Sequence, residues 1–320
     1  MANARGKAID NTHLSIDQAE ARGFIHRDYI AHCLRWTHVA KHLQKSYATA
    51  RILDIGCGVD LPLARLLYSS RLIAYDYVGV EYNKSHKFKV EPFHSGKFPL
   101  SVYGSVDFAN DDQVMIRQPE YGWDRETMKD DLVMFYKGDS GIESEHRLPN
   151  TLVSFEMIEH IEPSHCRAVL KKMRMIMQHT KSVTGENPVA FISTPCWDPN
   201  VGAAGNHVNE MTFTALGALL EDLGFRIENV AGTFASQRDY KTQLTADGHL
   251  KTYEALAKHF DSNYLATIFA PLYPEHSRNA LWTLRIPREG EVAARRFPYL
   301  DDVEGVWTSS EHWQELNGDD

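Results

Sequence analysis

Short apolar runs alternate with amphipathic stretches along most of this chain of 320 residues. Apolar runs of this kind predict buried strands when glycine or polar residues bound them. We predict strands at residues 51–55, 77–81, 132–136, 151–155, 189–194, 226–234 and 280–286. Amphipathic helices are predicted at residues 61–70, 165–178 and 214–225, the last ending at Gly224. Strands that alternate with helices predict an α/β fold, in which a mostly parallel sheet is covered by helices on both faces.

The same pattern divides the chain into three parts. They are an N-terminal helical segment at residues 1–50, an α/β domain at residues 51–287 and an acidic C-terminal tail at residues 288–320. In the first part we predict a helix over residues 15–45, because Ser15 and Gln18 form a capping box at its start. Two stretches of the domain, residues 84–131 and 235–279, exceed what a minimal α/β domain needs and are predicted insertions. Long connections often cover a binding site, although elaboration without that role is an equally good interpretation.

Composition and charge narrow the class of protein. The formal net charge is -9 without a long basic tract, which disfavours a nucleic-acid partner held through its phosphates but does not exclude a local basic groove. The four cysteines, Cys33, Cys57, Cys166 and Cys196, are never spaced as C-x-x-C, which favours a reducing compartment over a disulfide framework or a structural zinc site. No apolar run is long enough for a membrane span, and the N-terminus lacks the apolar middle of a secretory signal. We therefore expect a cytoplasmic protein with no membrane partner.

Candidate chemistry begins at "ILDIGCGVD", residues 52–60, where the first predicted strand runs into glycines. Gly56 and Gly58 allow a sharp turn and a close approach of backbone to a ligand. Polar residues also end the next three strands: Glu81, the pair Asp139 and Ser140 in "KGDSG", and Glu156 in "FEMIEHIEP". Ligands of open parallel sheets bind beyond the carboxyl ends of the strands. We therefore predict that these strand ends form one binding site.

Over residues 50–232 this pattern resembles the class I S-adenosylmethionine-dependent methyltransferases. The resemblance implies a Rossmann-like, mostly parallel seven-stranded sheet and S-adenosylmethionine as cofactor. In that family the first turn contacts the methionine end of the cofactor, the second-strand acid holds the ribose and the third-strand acid holds the adenine. Carried over, the cofactor residues are Asp54, Gly56, Gly58, Glu81, Asp139, Ser140 and Glu156.

Two positions qualify the resemblance. Asp60 stands where the family motif usually has a third glycine. An aspartate there would repel a pyrophosphate, whereas S-adenosylmethionine has no phosphate and carries cationic groups, which argues against a dinucleotide dehydrogenase. Asp107 in "LSVYGSVDF" competes with Asp139 as the third-strand acid. We prefer Asp139, because a short connection then suffices before the fourth strand; choosing Asp107 would move the first insertion to a later connection.

The string "EMIEHIEP" places two carboxylates and an imidazole after the fourth strand. An E-x-x-E-H at this place resembles the O-methyltransferases of ubiquinone biosynthesis and the small-RNA 3′-terminal 2′-O-methyltransferases, which implies a divalent metal. The implied ligands of the metal, such as Mg²⁺, are Glu156, Glu159, His160 and His207, and the implied catalytic residues are Glu159 and His160. Two alternatives stay open: His160 acts as a general base without a metal, or placement of the acceptor alone suffices.

The resemblance implies an enzyme, a transferase that methylates an oxygen or nitrogen of a small-molecule or nucleotide-like acceptor. A metal-dependent methyltransferase of RNA or another nucleic acid is one alternative, and an inactive cofactor-binding scaffold subunit is another. The acids at three strand ends argue against the scaffold. Pro195 and Cys196 match the nucleophile dipeptide of cytosine-5 methyltransferases, but theirs follows the fourth strand and this one follows the fifth.

Overall fold

The computed structural model describes residues 27–46, 50–70, 75–83, 87–90, 93, 100–109, 114–117, 133–137, 143–198, 202–235, 243–260, 262–291 and 294–303. The strands, in chain order, are β1 Ala50–Ile55, β2 Tyr75–Val80, β3 Leu100–Tyr103, β4 Val114–Arg117, β5 Val133–Lys137, β6 Glu143–Arg147, β7 Thr151–Phe155, β8 Val189–Pro195, β9 Arg226–Ala235 and β10 Ser277–Arg285. The helices are α1 Arg27–Ser46, α2 Pro62–Ser70, α3 Pro163–Thr184, α4 Phe213–Asp222, α5 Leu250–Leu256 and α6 Ser262–Phe269.

The main sheet has seven strands in the order β3-β2-β1-β7-β8-β10-β9. Neighbouring strands from β3 to β8 run parallel, and β10 runs antiparallel to both β8 and β9. The order changes direction at β1, which pairs with β2 on one side and with β7 on the other. The predicted Rossmann-like, mostly parallel sheet is therefore confirmed, and β1 and β7 mark the point where ligands of such sheets bind.

Helix ends follow the local sequence. Thr212 caps α4, and its side-chain hydroxyl accepts a hydrogen bond of 3.1 Å from the backbone N–H of Ala215. Gly224 follows the end of α4 with φ at 84°, as the sequence predicted. Pro163 begins α3, a position that needs no backbone N–H, and Gly185 ends it in the left-handed conformation.

Apolar side chains fill both faces of the main sheet. On one face Leu53 and Ile55 of β1 pack with residues of α3 and α4, such as Met173 and Leu219. On the opposite face Ile52 packs with residues of α1 and α2. Successive residues of a strand point to opposite faces, so the almost continuous apolar run of β1 serves two cores.

The prediction from sequence of the third strand of the main sheet, at residues 132–136, is wrong. Residues 132–136 correspond to β5, which lies in a separate antiparallel sheet with β4 and β6. The third strand of the main sheet is β3, inside the stretch 84–131 that was predicted as an insertion. Because β3 is a short edge strand with half-buried side chains, its hydrophobic pattern is weak.

The C-terminal part packs on α4. The backbone N–H groups of Arg296 and Phe297 donate to Glu221, and the ring of Phe297 lies against Gly217, where an added Cβ would come within 2.5 Å of it. The predicted capping box of Ser15 and Gln18 lies outside the described residues. Within the ranges given above, no helix combines the length and the hydropathy that crossing a bilayer requires.

Candidate active site

The turn after β1 depends on both of its glycines. Gly56 and Gly58 have φ values of 72° and 68°, a region that other residues enter with strain. A Cβ on Gly56 would lie 2.5 Å from Cγ of Met157, whereas one on Gly58 would have no neighbour within 4 Å. Gly56 therefore also permits the close approach of the segment after β7, and the side of Gly58 is open.

Glu81 joins the ends of β1 and β2. Its Oε2 accepts a hydrogen bond of 3.0 Å from the backbone N–H of Gly58. Its Oε1 accepts bonds of 2.9 Å and 3.3 Å from the backbone N–H groups of Tyr82 and Asn83. A carboxylate offers about four lone-pair sites. Glu81 is thus oriented by the backbone and keeps capacity on Oε2 for a further donor.

Asp54 lies beneath this turn and is 4% exposed. The hydroxyl of Tyr77 donates a hydrogen bond to its Oδ2. Burial raises the pKa of Asp54 to about 7; the bond from Tyr77 opposes this rise and the negative charge of Glu81 adds to it. The two acids that the sequence predicted at neighbouring strand ends are therefore close enough to affect each other's charge.

Asp60 has a partner in the segment after β2. Its Oδ1 lies 2.5 Å from Nζ of Lys89. The backbone N–H of Lys89 also donates to the carbonyl of Val59 at 2.9 Å. The charge at the position of the third glycine therefore holds a neighbouring segment against the turn.

The preferred adenine residues, Asp139 and Ser140, lie outside the described residues. The competing acid, Asp107, follows β3 and accepts a hydrogen bond of 3.0 Å from the backbone N–H of Ala109. The preceding residue, Val106, donates its backbone N–H to the carbonyl of Glu81 at 3.0 Å. Because β3 neighbours β2 in the main sheet, Asp107 occupies the place that the third-strand acid was expected to hold.

Glu156 ends β7 in a left-handed backbone conformation, with φ at 51°. Its Oε1 accepts hydrogen bonds from Arg35 at 3.0 Å and Ser193 at 2.9 Å, and its Oε2 accepts one from Asn279 at 2.7 Å. Arg35 comes from α1 and is 1% exposed. A strained residue held by donors from three separate elements is typical of a functional site.

Glu159 is a fully buried carboxylate. Its Oε2 accepts a hydrogen bond of 3.1 Å from the hydroxyl of Thr194, while its Oε1 has no hydrogen-bond partner within the described part of the chain. Burial raises the pKa of Glu159 well above its ordinary value, and the charge of Glu156 raises it further. A buried oxygen left in this way is costly unless a proton or a cation satisfies it.

Two histidines lie beside Glu159. Nε2 of His160 lies 3.9 Å from Oε1 of Glu159, and the rings of His160 and His207 lie 4.6 Å apart. The Nδ1 atoms of both rings are hydrogen-bonded: in His160 to the carbonyl of Asn206 at 3.1 Å, and in His207 to Oε1 of Glu210 at 2.5 Å. Burial lowers the pKa of His160, against a smaller opposite effect of its bond to Asn206. Each ring thus keeps Nε2 for another partner.

These three residues fit a divalent cation. Glu159, His160 and His207 each offer one ligand atom, and the three atoms lie within 4.8 Å of one another. Mixed imidazole and carboxylate donors suit several divalent metals. Glu156, the fourth predicted ligand, is not among these three residues, and its oxygens accept bonds from Arg35, Ser193 and Asn279.

A family model described as "Methyltransferase domain" matches residues 25–230, which is more than half of the chain. The chain belongs to the methyltransferase domain family. This membership confirms the resemblance to class I S-adenosylmethionine-dependent methyltransferases, while the E-x-x-E-H subgroup stays a prediction. No curated protein sequence matches this methyltransferase significantly.

Solved structures with a similar course of the chain have low sequence identity. A chain of the complex between the Haloferax volcanii Trm112 methyltransferase activator and a methyltransferase is 13% identical, with 84% of this chain and 96% of that chain covered and a TM-score of 0.44. The YcgJ protein of Bacillus subtilis is 12% identical, with 80% and 99% covered and a TM-score of 0.42. The geranyl diphosphate C-methyltransferase of Streptomyces coelicolor is 10% identical, with 79% and 75% covered and a TM-score of 0.41. At these values the likeness carries no argument about cofactor or substrate.

Cys196 of this methyltransferase is buried beside the site. Its exposed fraction is 7%, and burial raises the pKa of its thiol to about 12. A thiol with such a pKa is protonated at neutral pH and is a poor nucleophile. The structure therefore disfavours the cytosine-5 methyltransferase interpretation further.

Several residues of the site escaped the sequence analysis. Arg35 lies in α1, Glu210 three residues after His207, and Arg278 and Asn279 at the start of β10. Glu210 could have been considered from the sequence, because it is a charged residue close in the chain to the candidate ligand His207. The distant arginine in a predicted core helix carried no comparable signal.

Proposed function

We propose that this methyltransferase takes its methyl group from S-adenosylmethionine and transfers it to an oxygen or nitrogen of a small-molecule or nucleotide-like acceptor. Four residues at the ends of β1 and β2 support the cofactor assignment: Asp54, Gly56, Gly58 and Glu81. Gly58 leaves open space beside the backbone, and the oriented carboxylate of Glu81 suits a pair of ribose hydroxyls. Ionised Asp54 would add negative charge for the cationic end of the cofactor. For the adenine edge we now propose Asp107 in place of Asp139.

We further propose that Glu159, His160 and His207 hold a divalent cation such as Mg²⁺ or Mn²⁺ beside the methyl donor. The observation that carries this proposal is the fully buried Oε1 of Glu159, which has no hydrogen-bond partner among the described residues and lies 3.9 Å from Nε2 of His160. The Nδ1 atoms of His160 and His207 are already hydrogen-bonded. When bound, the cation would lower the pKa of an acceptor hydroxyl. We assign Glu156 to the methyl-donor side, where Arg35 holds it, and Glu159 and His160 to catalysis.

The residues themselves define the geometry of the reaction. The hydrogen bond from Nδ1 of His160 to a backbone carbonyl orients its Nε2, which would accept the acceptor's proton if no cation binds. Thr194 orients Glu159 from β8. An acceptor held between these oriented groups and the methyl donor would react faster through placement as well.

Isothermal titration calorimetry with Mn²⁺ tests the cation. Glu159→Gln and His207→Asn should each weaken Mn²⁺ binding at least about ten-fold, because each variant removes a ligand atom. His259→Asn, at an exposed histidine of the second insertion, is the matched control and should bind as the wild type does. Equal Mn²⁺ affinity in all four proteins would refute the metal proposal and leave His160 as a general base. Titration with S-adenosylmethionine tests the cofactor: no binding near micromolar concentration would rule against both methyltransferase candidates.

A second candidate acceptor is the 3′ end of an RNA. It is favoured by the position of His207, which follows β8 and lies against His160, as the resemblance to small-RNA methyltransferases implies. The net charge of -9 disfavours it. Methyl transfer from labelled cofactor to a short single-stranded RNA would support this candidate if it requires Mg²⁺ and if RNA retention falls steeply with salt. An RNA that is neither retained nor methylated would exclude it and leave a small acceptor.

A further inference from the structure

We propose that Glu210 and Arg278 are positioning residues that hold His207 with its Nε2 directed into the metal site. This inference rests on the proposed function, because both residues would act on the cation site proposed above. It adds that β10 of the sheet, through Arg278, contributes to where this ligand of the loop lies.

The carboxylate of Glu210 bonds on both of its oxygens. It is 0% exposed, and its Oε1 lies 2.5 Å from Nδ1 of His207. Its Oε2 accepts a hydrogen bond of 2.6 Å from Nη2 of Arg278. One buried carboxylate therefore connects a histidine of the loop after β8 to an arginine of β10. The positive charge of Arg278 compensates the burial of Glu210.

The guanidinium of Arg278 is itself fixed in orientation. Nη1 donates to the backbone carbonyl of Cys196, and Nη2 also donates to the carbonyl of Gly202 at 3.2 Å. The next residue, Asn279, pairs in register with Pro195 at the end of β8. A planar group with several fixed donors can move little without breaking several bonds. Arg278 thus connects Glu210 to the start of β10, while the backbone N–H of Ala204 in the loop also donates to Oε1 of Glu210 at 3.3 Å.

The contact also selects the tautomer of His207. An ionised carboxylate accepts hydrogen bonds and donates none, so Nδ1 of His207 must carry the hydrogen. In the neutral ring the lone pair then resides on Nε2, and this ring lies 4.6 Å from that of His160. Histidines that bind metals typically donate their other ring N–H to a carboxylate or a carbonyl. His207 has a carboxylate partner, and His160 has a carbonyl partner in Asn206.

The competing interpretation is a purely structural ion pair that fastens the segment between β8 and α4. Such a pair would affect the free energy of unfolding but would leave the affinity of the folded protein for a cation unchanged. The full chain with Glu210→Gln, Arg278→Lys or His207→Asn separates the two interpretations. Each variant is first checked for a cooperative thermal transition, and then its Mn²⁺ affinity is measured by calorimetry.

We expect Glu210→Gln to weaken Mn²⁺ binding about 10- to 100-fold and Arg278→Lys to weaken it less, because a lysine retains the charge but cannot make the same set of bonds. In the His207→Asn background, Glu210→Gln should cause no further loss, since the residue acts through that histidine. If Glu210→Gln does not fold, Arg278→Lys and its double variant with His207→Asn give the same comparison.

Two results would overturn the inference in distinguishable ways. If His207→Asn weakens Mn²⁺ binding while Glu210→Gln and Arg278→Lys leave it unchanged, the metal site stands and the positioning role fails. If His207→Asn itself binds as the wild type does, the proposed metal site fails together with the inference. A measurement without metal adds an independent check: nitrogen-15 spectra of the histidine rings should show His207 with its hydrogen on Nδ1, and a hydrogen on Nε2 would contradict the proposal.

Discussion

Asp54 allows the electrostatics of the candidate site to be tested without any ligand. Its carboxylate is 4% exposed and bonded to the Tyr77 hydroxyl, and its pKa is raised from 3.8 to about 7, chiefly by burial. Asp54→Asn keeps the shape and a hydrogen-bond acceptor for Tyr77 but cannot ionise. The difference between wild type and variant therefore isolates the free energy of burying a charged Asp54.

The sign and size of this free-energy difference follow from the pKa values of Asp54 in the unfolded and folded states. Unfolded chains lose the proton of Asp54 near pH 3.8, whereas the folded protein keeps it until about pH 7. Between these values the folded state binds more protons, so its stability falls as pH rises and then levels off above pH 7. At about 1.4 kcal/mol per pKa unit, the full effect is about 4 kcal/mol, of which about 3 kcal/mol develops between about pH 5 and about pH 8.

Urea unfolding of both proteins without cofactor, followed by circular dichroism across this pH range, measures the effect. We expect the stability of Asp54→Asn relative to wild type to rise by about 3 kcal/mol from about pH 5 to about pH 8. Asp301→Asn, at an exposed position, is the control and should change the free energy of unfolding little at any pH. A difference between wild type and Asp54→Asn that stays constant with pH would refute the reasoning.

Three further predictions concern other parts of the structure. Gly58→Ala should cost about 1–2 kcal/mol of unfolding free energy through backbone strain alone, and Gly56→Ala should cost about 1–3 kcal/mol more because its Cβ meets Met157; equal losses in urea unfolding would contradict this difference. Phe297→Ala should lower the free energy of unfolding by about 2 kcal/mol, since the ring packs on α4, and an unchanged urea midpoint would mean that the tail does not stabilise the domain. Cys196→Ala should keep methyl transfer within about three-fold of wild type, because the thiol is buried and protonated at neutral pH; loss of all transfer in a folded variant would restore the nucleophile interpretation.

Much of the fold follows from local pattern. Strands β1, β7 and β8 and helices α2, α3 and α4 lie where the periodicity of apolar residues predicts them. Buried strands and amphipathic helices carry strong signals because most of their side chains pack on a core. The short edge strand β3 carries a weak signal, and the apolar run of β5 indicates a strand without indicating which sheet it joins.

The candidate site also has features that the sequence predicts and features that it does not. The residue types proposed as metal ligands were visible in the sequence, since Glu159 and His160 follow a buried strand and His207 follows the next strand of the sheet. Their convergence depends on the parallel pairing of β7 with β8 and on the carbonyl of Glu159, which accepts hydrogen bonds from the backbone of the segment that carries His207. Neither contact has a signature in the local pattern.

The sequence by itself therefore determined the class of fold and the chemical groups at the strand ends, because both depend on residues that are neighbours along the chain. The tertiary structure alone decided which of those groups meet and what surrounds them. Arg35 reaches Glu156 across 121 positions and Arg278 reaches Glu210 across 68. Burial and charge pairing at such separations arise only when distant elements pack together. A local pattern of polar and apolar residues therefore does not predict them.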